Sequence, residues 1–308
     1  MLTTIIPTYN HGIYLDSLIN SVLSPESPVT ELIICDDCST DGSDNILRAF
    51  DGRPGLRLFF NEVNSKTINT NARMFKFATN PYVMFMSSDD YFYPSKLYHL
   101  FEEIKLKNAN WGFGKYVIDQ DSQISELHHP GWEFRQHPAM NDVAALLACD
   151  HYAFLAATIF KKSALPIYSN SSPWDLSLFD LVGKDGLGDF RAQDWAIALE
   201  VSQKSESKVV FLNEYVAAFR QVPNQLSSPD NYIYTGRSAC EMSILINKFL
   251  SKPEYKALLP KDSPAFSKMA RLFLSKINNV SNVVKQSANF REIYLPHFMQ
   301  TKKILLDY

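Results

Sequence analysis

Two pairs of adjacent carboxylates stand out in the sequence as groups that could do chemistry. Asp36 and Asp37 lie in the stretch CDDCSTDGS, and Asp89 and Asp90 lie in MFMSSDDYFYP. Neighbouring carboxylates repel each other unless they reach solvent or share a cation. The alternative for each pair is a set of turn and helix-capping residues.

The segments around these carboxylates alternate between strand and helix patterns. β-Branched and apolar runs predict strands, and apolar residues at helical spacing predict helices between them. The predicted strands are residues 2–7, 29–35, 56–60 and 82–86, and the predicted helices are residues 14–23, 41–50, 67–79 and 95–107. This alternation predicts parallel strands with right-handed crossovers, in a sheet covered by helices on both faces.

The loops after the first, second and fourth predicted strands should meet at one edge of such a sheet, where ligands bind. They read PTYN, DDCSTDGS and SSDD. The first loop lacks the G-x-G-x-x-G pattern of a dinucleotide site. Its Tyr9 can instead lie flat against a nucleobase, while Asp36 and Asp37 can accept the imide N–H of a uracil or the hydroxyls of a ribose. Asp89 and Asp90 follow the fourth predicted strand, so three sets of groups are expected to converge on this edge.

The motifs TIIPTYN, ELIICDDCSTDGS and MFMSSDDYFYP, in this order, resemble those of the GT-A glycosyltransferases of family 2. The resemblance covers about the first 110 residues, and beyond them it rests on the short element FRAQDWAIAL. It implies an α/β fold with a Rossmann-like, mostly parallel sheet flanked by helices, followed here by a C-terminal helical extension. It also implies inverting transfer from a nucleotide-sugar, expected to be UDP-linked, with Mn²⁺ or Mg²⁺ as cofactor.

The resemblance assigns roles to individual residues of this sequence. Asp90 would hold the metal, and Asp89 would contact the ribose or the metal. Asp194 would be the catalytic base, because inversion needs a carboxylate that takes the proton of the acceptor hydroxyl. The residues expected to bind the nucleotide-sugar are Pro7, Thr8, Tyr9, Asp36, Asp37, Lys66, Asp89 and Arg220.

Three departures from the family pattern bear on these roles. The family usually has Glu-Asp where this chain has Gln193 and Asp194. It often has Arg-Asn before the fourth strand, where this chain reads Asn71-Ala72 with Arg73 nearby. The loop FRQVPNQLSS keeps Arg220 but offers no His. The diphosphate contacts and part of the metal ligation are therefore expected to differ from those of relatives.

Other conspicuous side chains are better explained as structural. Large aromatic side chains are mostly core residues. We therefore expect core positions, and not stacking on acceptor sugars, for Trp111, Trp132 and Trp174. His128, His129 and His137 have no acidic residue at the spacing of a metal site. We therefore expect them to lie in a loop and not to bind a metal. Cys35 and Cys38 have the C-x-x-C spacing, but no second pair completes a zinc site, so ordinary reduced thiols are expected.

Composition limits the class of protein and its partners. The chain has 308 residues, 46% of them hydrophobic, which is typical of a globular protein. A net charge of −3 gives no broad basic field, so no nucleic-acid partner is expected. No apolar run approaches the roughly 20 residues of a membrane span, and the first residues lack the pattern of a signal peptide. We expect a cytoplasmic protein.

The chain is expected to contain a GT-A domain over residues 1–230 and a helical extension over residues 231–308. Within the domain, residues 1–110 would bind the nucleotide-sugar and residues 111–230 the acceptor, a growing glycan or lipid-linked saccharide of the bacterial surface. Lysines in the extension could contact the inner face of an anionic membrane. Packing against the catalytic domain, or formation of an oligomer, explains them equally well.

Two other functions remain open at this point. A nucleotidyltransferase on a related sheet would carry a Gly-rich loop with Arg or Lys after the first strand, and PTYNHG is not such a loop. A catalytically inactive relative that binds saccharide or scaffolds a complex is favoured by Gln193 and by the missing loop histidine.

Overall fold

The computed structural model describes residues 1–134, 142–149, 152–165, 191–202, 208–222, 225, 227–251, 253–288 and 290–307. The chain forms two compact units. The first unit comprises residues 1–127, 153–176 and 204–222, and the second comprises residues 128–152, 177–203 and 223–308. His137 and Trp174 lie outside the described residues. The assignment of a nucleotide-sugar half, an acceptor half and an extension remains a prediction.

The first unit begins with the predicted alternation of strands and helices. Its strands in this stretch are β1 (Leu2–Thr8), β2 (Val29–Asp36), β3 (Leu56–Phe60), β4 (Tyr82–Phe85) and the short β5 (Tyr91–Phe92). Its helices are α1 (Gly12–Val22), α2 (Ser43–Arg48), α3 (Lys66–Phe75) and α4 (Pro94–Leu106). The four predicted strands and four predicted helices are all confirmed, with bounds that differ by a few residues.

The predicted third helix is too long at its C-terminal end. It was expected to reach residue 79, but α3 ends at Phe75. The chain leaves the helix through tight turns in which the N–H of Phe77 donates to the carbonyl of Met74. The N–H and hydroxyl of Thr79 then bond to the carboxylate of Glu31 at 2.8 and 3.0 Å. The N–H of Thr79 therefore bonds to a distant strand and not to a helical carbonyl.

The rest of the first unit supplies further strands and completes one sheet. These strands are β6 (Trp111–Gln120), β7 (Gln123–Glu126), β8 (Thr158–Lys161) and β9 (Val209–Gln221). Among the described residues the strand order is β3-β2-β1-β4-β8-β6-β9-β5, with β7 paired to β6. β1, β2, β3 and β4 are parallel, as predicted, whereas β8 joins β4 in the antiparallel sense. The sheet is therefore mostly parallel on one side and mixed on the other.

The core of the first unit lies on both faces of this sheet. Ile5, Ile33 and Val83 are fully buried, because helices cover both sides of the parallel strands. Trp111 is also fully buried and stacks on Phe113 and Phe160. Its expected core position is confirmed.

The second unit is helical in its described residues. Its helices are α5 (Pro130–Phe134), α6 (Asp142–Cys149), α7 (Gln193–Ser202), α8 (Arg237–Leu250), α9 (Pro253–Leu258), α10 (Pro264–Asn278), α11 (Asn282–Gln286) and α12 (Leu295–Asp307). α6 packs against α7 and α10, and α8 packs against α10 and α12. Trp132 is buried and donates its ring N–H to the carbonyl of Tyr152 at 3.0 Å, so it is a core residue as expected. The predicted helical character of residues 231–308 is confirmed.

A search of the described helices for membrane spans found none with the length and apolar content required to cross a bilayer.

Candidate active site

The loops after β1 and β2 lie side by side at one edge of the sheet. The two strands are parallel and in register, with Thr8 opposite Asp36. Beyond the paired residues, the N–H of Asp37 still donates to the carbonyl of Thr8 at 2.8 Å. β4 lies on the other side of β1, where the N–H of Met86 donates to the carbonyl of Ile5 at 3.1 Å. The three strands therefore end at the same edge.

Asn10 joins the first loop to the second. Its N–H donates to the hydroxyl of Ser39 at 2.9 Å, and its side-chain oxygen accepts the N–H of Thr40 at 2.7 Å. Asn10 has a φ of 57°, a left-handed conformation that asparagine tolerates better than most residues. The asparagine of the PTYN motif thus has a local structural role as the clamp between these loops.

The carboxylates of Asp36 and Asp37 lie in the floor of this edge, each only 3% exposed. One oxygen of Asp37 accepts hydrogen bonds from the N–H of Ser65 at 2.8 Å and from the amide of Asn61 at 2.6 Å. Asp36 accepts the N–H of Ser39 through Oδ2 at 3.1 Å. Its Oδ1 is buried without a hydrogen-bond partner within the residues that the structure describes. Asp36 therefore has one unpaired oxygen in this part of the structure, in addition to its role in the turn.

Four other expected nucleotide-binding residues frame the same edge. Pro7 is half-buried and Thr8 is buried at the end of β1, whereas Tyr9, the next residue, is 44% exposed. Lys66 is exposed at the first position of α3, next to Ser65, whose N–H bonds to Asp37. The structure therefore brings an exposed aromatic ring and an exposed cation to the loops that hold Asp36 and Asp37.

Asp89 and Asp90 follow β4 and are both 4% exposed. The hydroxyl of Ser87 donates to Oδ1 of Asp89, and the N–H of Arg220 donates to Oδ1 of Asp90 at 3.0 Å. Burial, followed by the negative charge of Asp89, raises the pKa of Asp90 well above its usual range, although Arg220 opposes the shift. The ionised pair is therefore costly in this environment, and a cation beside it would stabilise it.

Arg220 lies near the end of β9 and packs against the carboxylate pair. Its guanidinium donates to the carbonyl of Asp89 at 2.7 Å and lies 3.6 Å from the carboxylate of Asp119. It also sits over the rings of Tyr14 and Tyr91, at 4.6 and 4.9 Å from their centroids. Arg220 was expected to contact the diphosphate, and its observed contacts hold the loop that carries Asp89 and Asp90.

His11 is a residue at this edge that the sequence did not single out. Its Nδ1 lies 2.8 Å from the hydroxyl of Ser88 and 3.9 Å from Oδ1 of Asp89. The imidazole thereby joins the loop after β1 to the loop after β4. The sequence signal that could have identified His11 was its position directly after the PTYN motif. A residue at that position lies close to the ends of β2 and β4, the strands on either side of β1.

The residues at this edge fit a divalent cation. Among the described residues no group of three or more His, Cys, Asp or Glu side chains could hold a metal ion alone. Mg²⁺ and similar ions, however, are commonly held by one or two carboxylates together with substrate phosphates and water. Within the described part of the chain, Oδ2 of Asp89 and Oδ2 of Asp90 have no hydrogen-bond partner of their own. Two hard oxygen donors are thus available.

Asp194 belongs to the second unit, where it is the second residue of α7. Its carboxylate accepts the N–H of Trp195 at 2.9 Å. The residues just before α7 are fixed by Glu241 of α8, whose carboxylate accepts the N–H groups of Arg191 and Ala192 at 3.1 and 2.9 Å. The position of the expected base is therefore set by a buried carboxylate from another helix.

Comparison with known proteins identifies the family. The family model described as "Glycosyl transferase family 2" matches residues 3–163, just over half of the 308 residues. The teichuronic acid biosynthesis glycosyltransferase TuaG of Bacillus subtilis (strain 168) is 31% identical over 119 residues, which are 38% of this chain and 47% of that protein. The matched segment thus spans about half the length of this relative.

Solved structures of low sequence identity share the fold. The structure of Staphylococcus aureus TarS 1-349 in complex with UDP-GlcNAc is 16% identical, with a TM-score of 0.59 over 99% of this chain and 80% of that chain. The mannosyltransferase PcManGT from Pyrobaculum calidifontis, in complex with GDP-Man and Mn²⁺, is 13% identical, with a TM-score of 0.54 over 99% of this chain and 86% of that chain. Both are GT-A neighbours.

The family model matches more than half of the chain, and the sheet and the order of its loop motifs agree with it. This chain therefore belongs to glycosyl transferase family 2 and has the GT-A fold.

Proposed function

We propose that this protein is a metal-dependent, inverting glycosyltransferase that moves a sugar from a nucleotide-sugar to a saccharide acceptor. The donor is UDP-linked, and the acceptor is a glycan or lipid-linked saccharide of the bacterial surface. The observation that carries the proposal is the buried Asp89–Asp90 pair at the edge where the loops after β1 and β2 also end.

The nucleotide is bound by the loops after β1, β2 and β3. The exposed ring of Tyr9 stacks on the base, and the buried acceptor oxygen of Asp36 takes a hydrogen bond from the base or ribose. Asp37 fixes the loop that carries Lys66, whose charge lies near the diphosphate. Pro7 and Thr8 set the backbone from which Tyr9 projects.

Asp90, with Asp89, would hold Mn²⁺ or Mg²⁺ through the oxygens that have no protein partner. When bound, the cation supplies positive charge against the negative charge that develops on the departing nucleoside diphosphate. Arg220 holds the carboxylate of Asp90 through its backbone N–H and the main-chain carbonyl of Asp89 through its guanidinium. Contact of Arg220 with the diphosphate, expected from the sequence, remains a prediction.

Asp194 acts as the general base. It takes the proton of the acceptor hydroxyl as that oxygen attacks the anomeric carbon from the side opposite the leaving phosphate. One carboxylate is sufficient for this step, so Gln193 in place of the usual Glu does not exclude the reaction.

The names and bound ligands of similar proteins support the substrate class. TuaG is named for teichuronic acid biosynthesis, the TarS structure holds UDP-GlcNAc, and the PcManGT structure holds GDP-Man with Mn²⁺. A second candidate function is saccharide binding or scaffolding without turnover, which Gln193 favours because the family pattern around the base is altered there.

The test is UDP release from a panel of UDP-sugars, with Mn²⁺ and with EDTA, together with calorimetric titration of UDP. We expect metal-dependent UDP binding and turnover, both lost in Asp90→Asn. Asp51→Asn, on an exposed turn where the carboxylate accepts the N–H of Gly52 at 3.0 Å, is the matched control and should behave as wild type. UDP binding without turnover on any sugar would favour the second candidate, and absence of both would refute the nucleotide site.

A further inference from the structure

A cavity of about 430 Å³ lies inside the first unit, beside the carboxylate pair. Part of its wall is formed by Tyr14, Ser17 and Ser21 of α1, and another part by Asp119 at the end of β6 and Ile124 on β7. We call this cavity the α1 groove. It extends along two turns of α1 and is distinct from the loops that carry Tyr9, Asp36 and Lys66.

One part of the lining of the α1 groove is polar. Arg220 lies there over the rings of Tyr14 and Tyr91, with its charge offset by Asp119 at 3.6 Å. Asp119 is only 5% exposed and also accepts the N–H of Ser122 at 2.9 Å. This part of the lining therefore offers hydrogen-bonding groups beside aromatic rings, with no net excess of positive charge.

Another part of the lining has a different character. Ile124 is 51% exposed on β7, a hairpin strand whose residues are all exposed. Ser17 and Ser21 on α1 also line the cavity, and the hydroxyl of Ser17 donates to the carbonyl of Tyr14 at 3.0 Å. An apolar side chain and hydroxyl groups that can accept hydrogen bonds thus line the same cavity.

This combination selects for a saccharide. A pyranose ring has an apolar face that packs on aromatic or aliphatic side chains, and a rim of hydroxyls that bond to carboxylates, guanidinium groups and serines. Apolar side chains such as Leu18, Val22 and Phe92 also line the groove, but an acyl chain would leave the carboxylate of Asp90 and the hydroxyl of Ser21 facing hydrocarbon. The charge of Arg220 is offset by Asp119, so this lining favours a neutral ligand over an anionic one.

The α1 groove and the proposed metal site share residues, since Asp90 and Arg220 line the groove as well. From this continuity we propose that the α1 groove binds a saccharide unit of the acceptor glycan. This inference rests on the proposed function and deepens it, because it names where this chain holds the molecule that receives the sugar.

The probes are methyl glycosides of glucose, galactose, mannose, rhamnose and N-acetylglucosamine, with the disaccharides chitobiose, cellobiose and lactose. Saturation-transfer NMR on the full chain detects binding of each sugar, with UDP and Mn²⁺ present to occupy the donor site. Ser17→Trp places a large ring in the groove, and Ile124→Ala removes an apolar contact from the other wall. Asp16→Trp introduces the same ring at the adjacent, exposed position of α1 that does not line the groove.

We expect at least one sugar to bind wild type and Asp16→Trp equally, and to bind Ser17→Trp and Ile124→Ala about tenfold or more weakly. UDP affinity should be unchanged in all three variants. If UDP binds but no sugar does, or if sugar binding is unaffected by both groove variants, the groove proposal is wrong while the proposed function stands. If wild type does not bind UDP, the proposed function itself fails.

Discussion

Glu241 gives the sharpest test of how the second unit positions the expected base. It is completely buried in α8 and accepts four hydrogen bonds. Two come from the N–H groups of Arg191 and Ala192 before α7, one comes from the hydroxyl of Tyr232 at 2.9 Å, and one comes from the guanidinium of Arg237 at 2.8 Å. The carboxylate thus holds the start of α7, the helix that carries Asp194.

The expected cost of losing this carboxylate follows from its burial. Arg237 is only 3% exposed, and removing one partner of a buried ion pair costs about 3–5 kcal/mol. We expect Glu241→Ala to lower the free energy of unfolding by that amount. Glu241→Gln keeps an acceptor oxygen but loses the charge, and should cost about 1–3 kcal/mol. Because the start of α7 shifts, Glu241→Gln should also lower kcat roughly tenfold, without weakening UDP binding.

The assay is urea unfolding followed by tryptophan fluorescence, since Trp195 in α7 is buried and reports on this region. The matched control is Glu200→Ala, which removes a glutamate of the same unit from a partly exposed pair with Lys248. Such pairs contribute about 0–1 kcal/mol. If Glu241→Ala were no more destabilising than Glu200→Ala, the claim that Glu241 anchors α7 would be refuted. If Glu241→Gln were destabilised but kept full kcat, Glu241 would be structural only.

Three further predictions concern the first unit. Arg220→Met should reduce metal-dependent turnover about 10- to 100-fold, since it removes a charged hydrogen bond to the carbonyl of Asp89. Arg220→Lys should restore part of the turnover. An Mn²⁺ titration of the activity of both variants measures these effects. Gly114→Ala should lower the free energy of unfolding by about 1–3 kcal/mol, because its Cβ would lie 2.2 Å from Cγ2 of Val216; adding Val216→Ala should recover part of the loss in urea unfolding. Burial raises the pKa of Cys35 to about 11, so its thiol stays protonated at pH 8. Iodoacetamide should therefore modify it at pH 8 roughly two orders of magnitude more slowly than a free cysteine, with the rate rising toward pH 11. Rapid modification at pH 8, measured by mass spectrometry, would contradict this burial.

Much of the parallel half of the sheet could be predicted because its signals are local. The apolar run of β2 and the helical spacing of α1 follow from which face of each element is buried. The order of the motifs after β1, β2 and β4 then implied that these loops meet, since parallel neighbouring strands end at one edge. The pairing of Thr8 with Asp36, and the bonds of Asn10 across the loops, confirm that meeting.

The end of α3 shows where local signals fail. The sequence pattern continues to residue 79, but Thr79 bonds to Glu31, which is 48 residues away on β2. His11 was passed over for a related reason. A single histidine after a motif has no periodicity, and only the fold places it beside Ser88 and Asp89.

The sequence by itself determined the four parallel strands, the helices that accompany them and the order of the carboxylate motifs, because each of these signals lies in the local pattern of one segment. Tertiary structure alone decided that the N–H of Arg220 reaches Asp90 across 130 residues, that Glu241 fixes the start of α7, and that α1 and the β6–β7 hairpin enclose a groove. Such contacts join segments far apart in the chain, and they form only when the packing of the whole unit makes them more favourable than the alternatives.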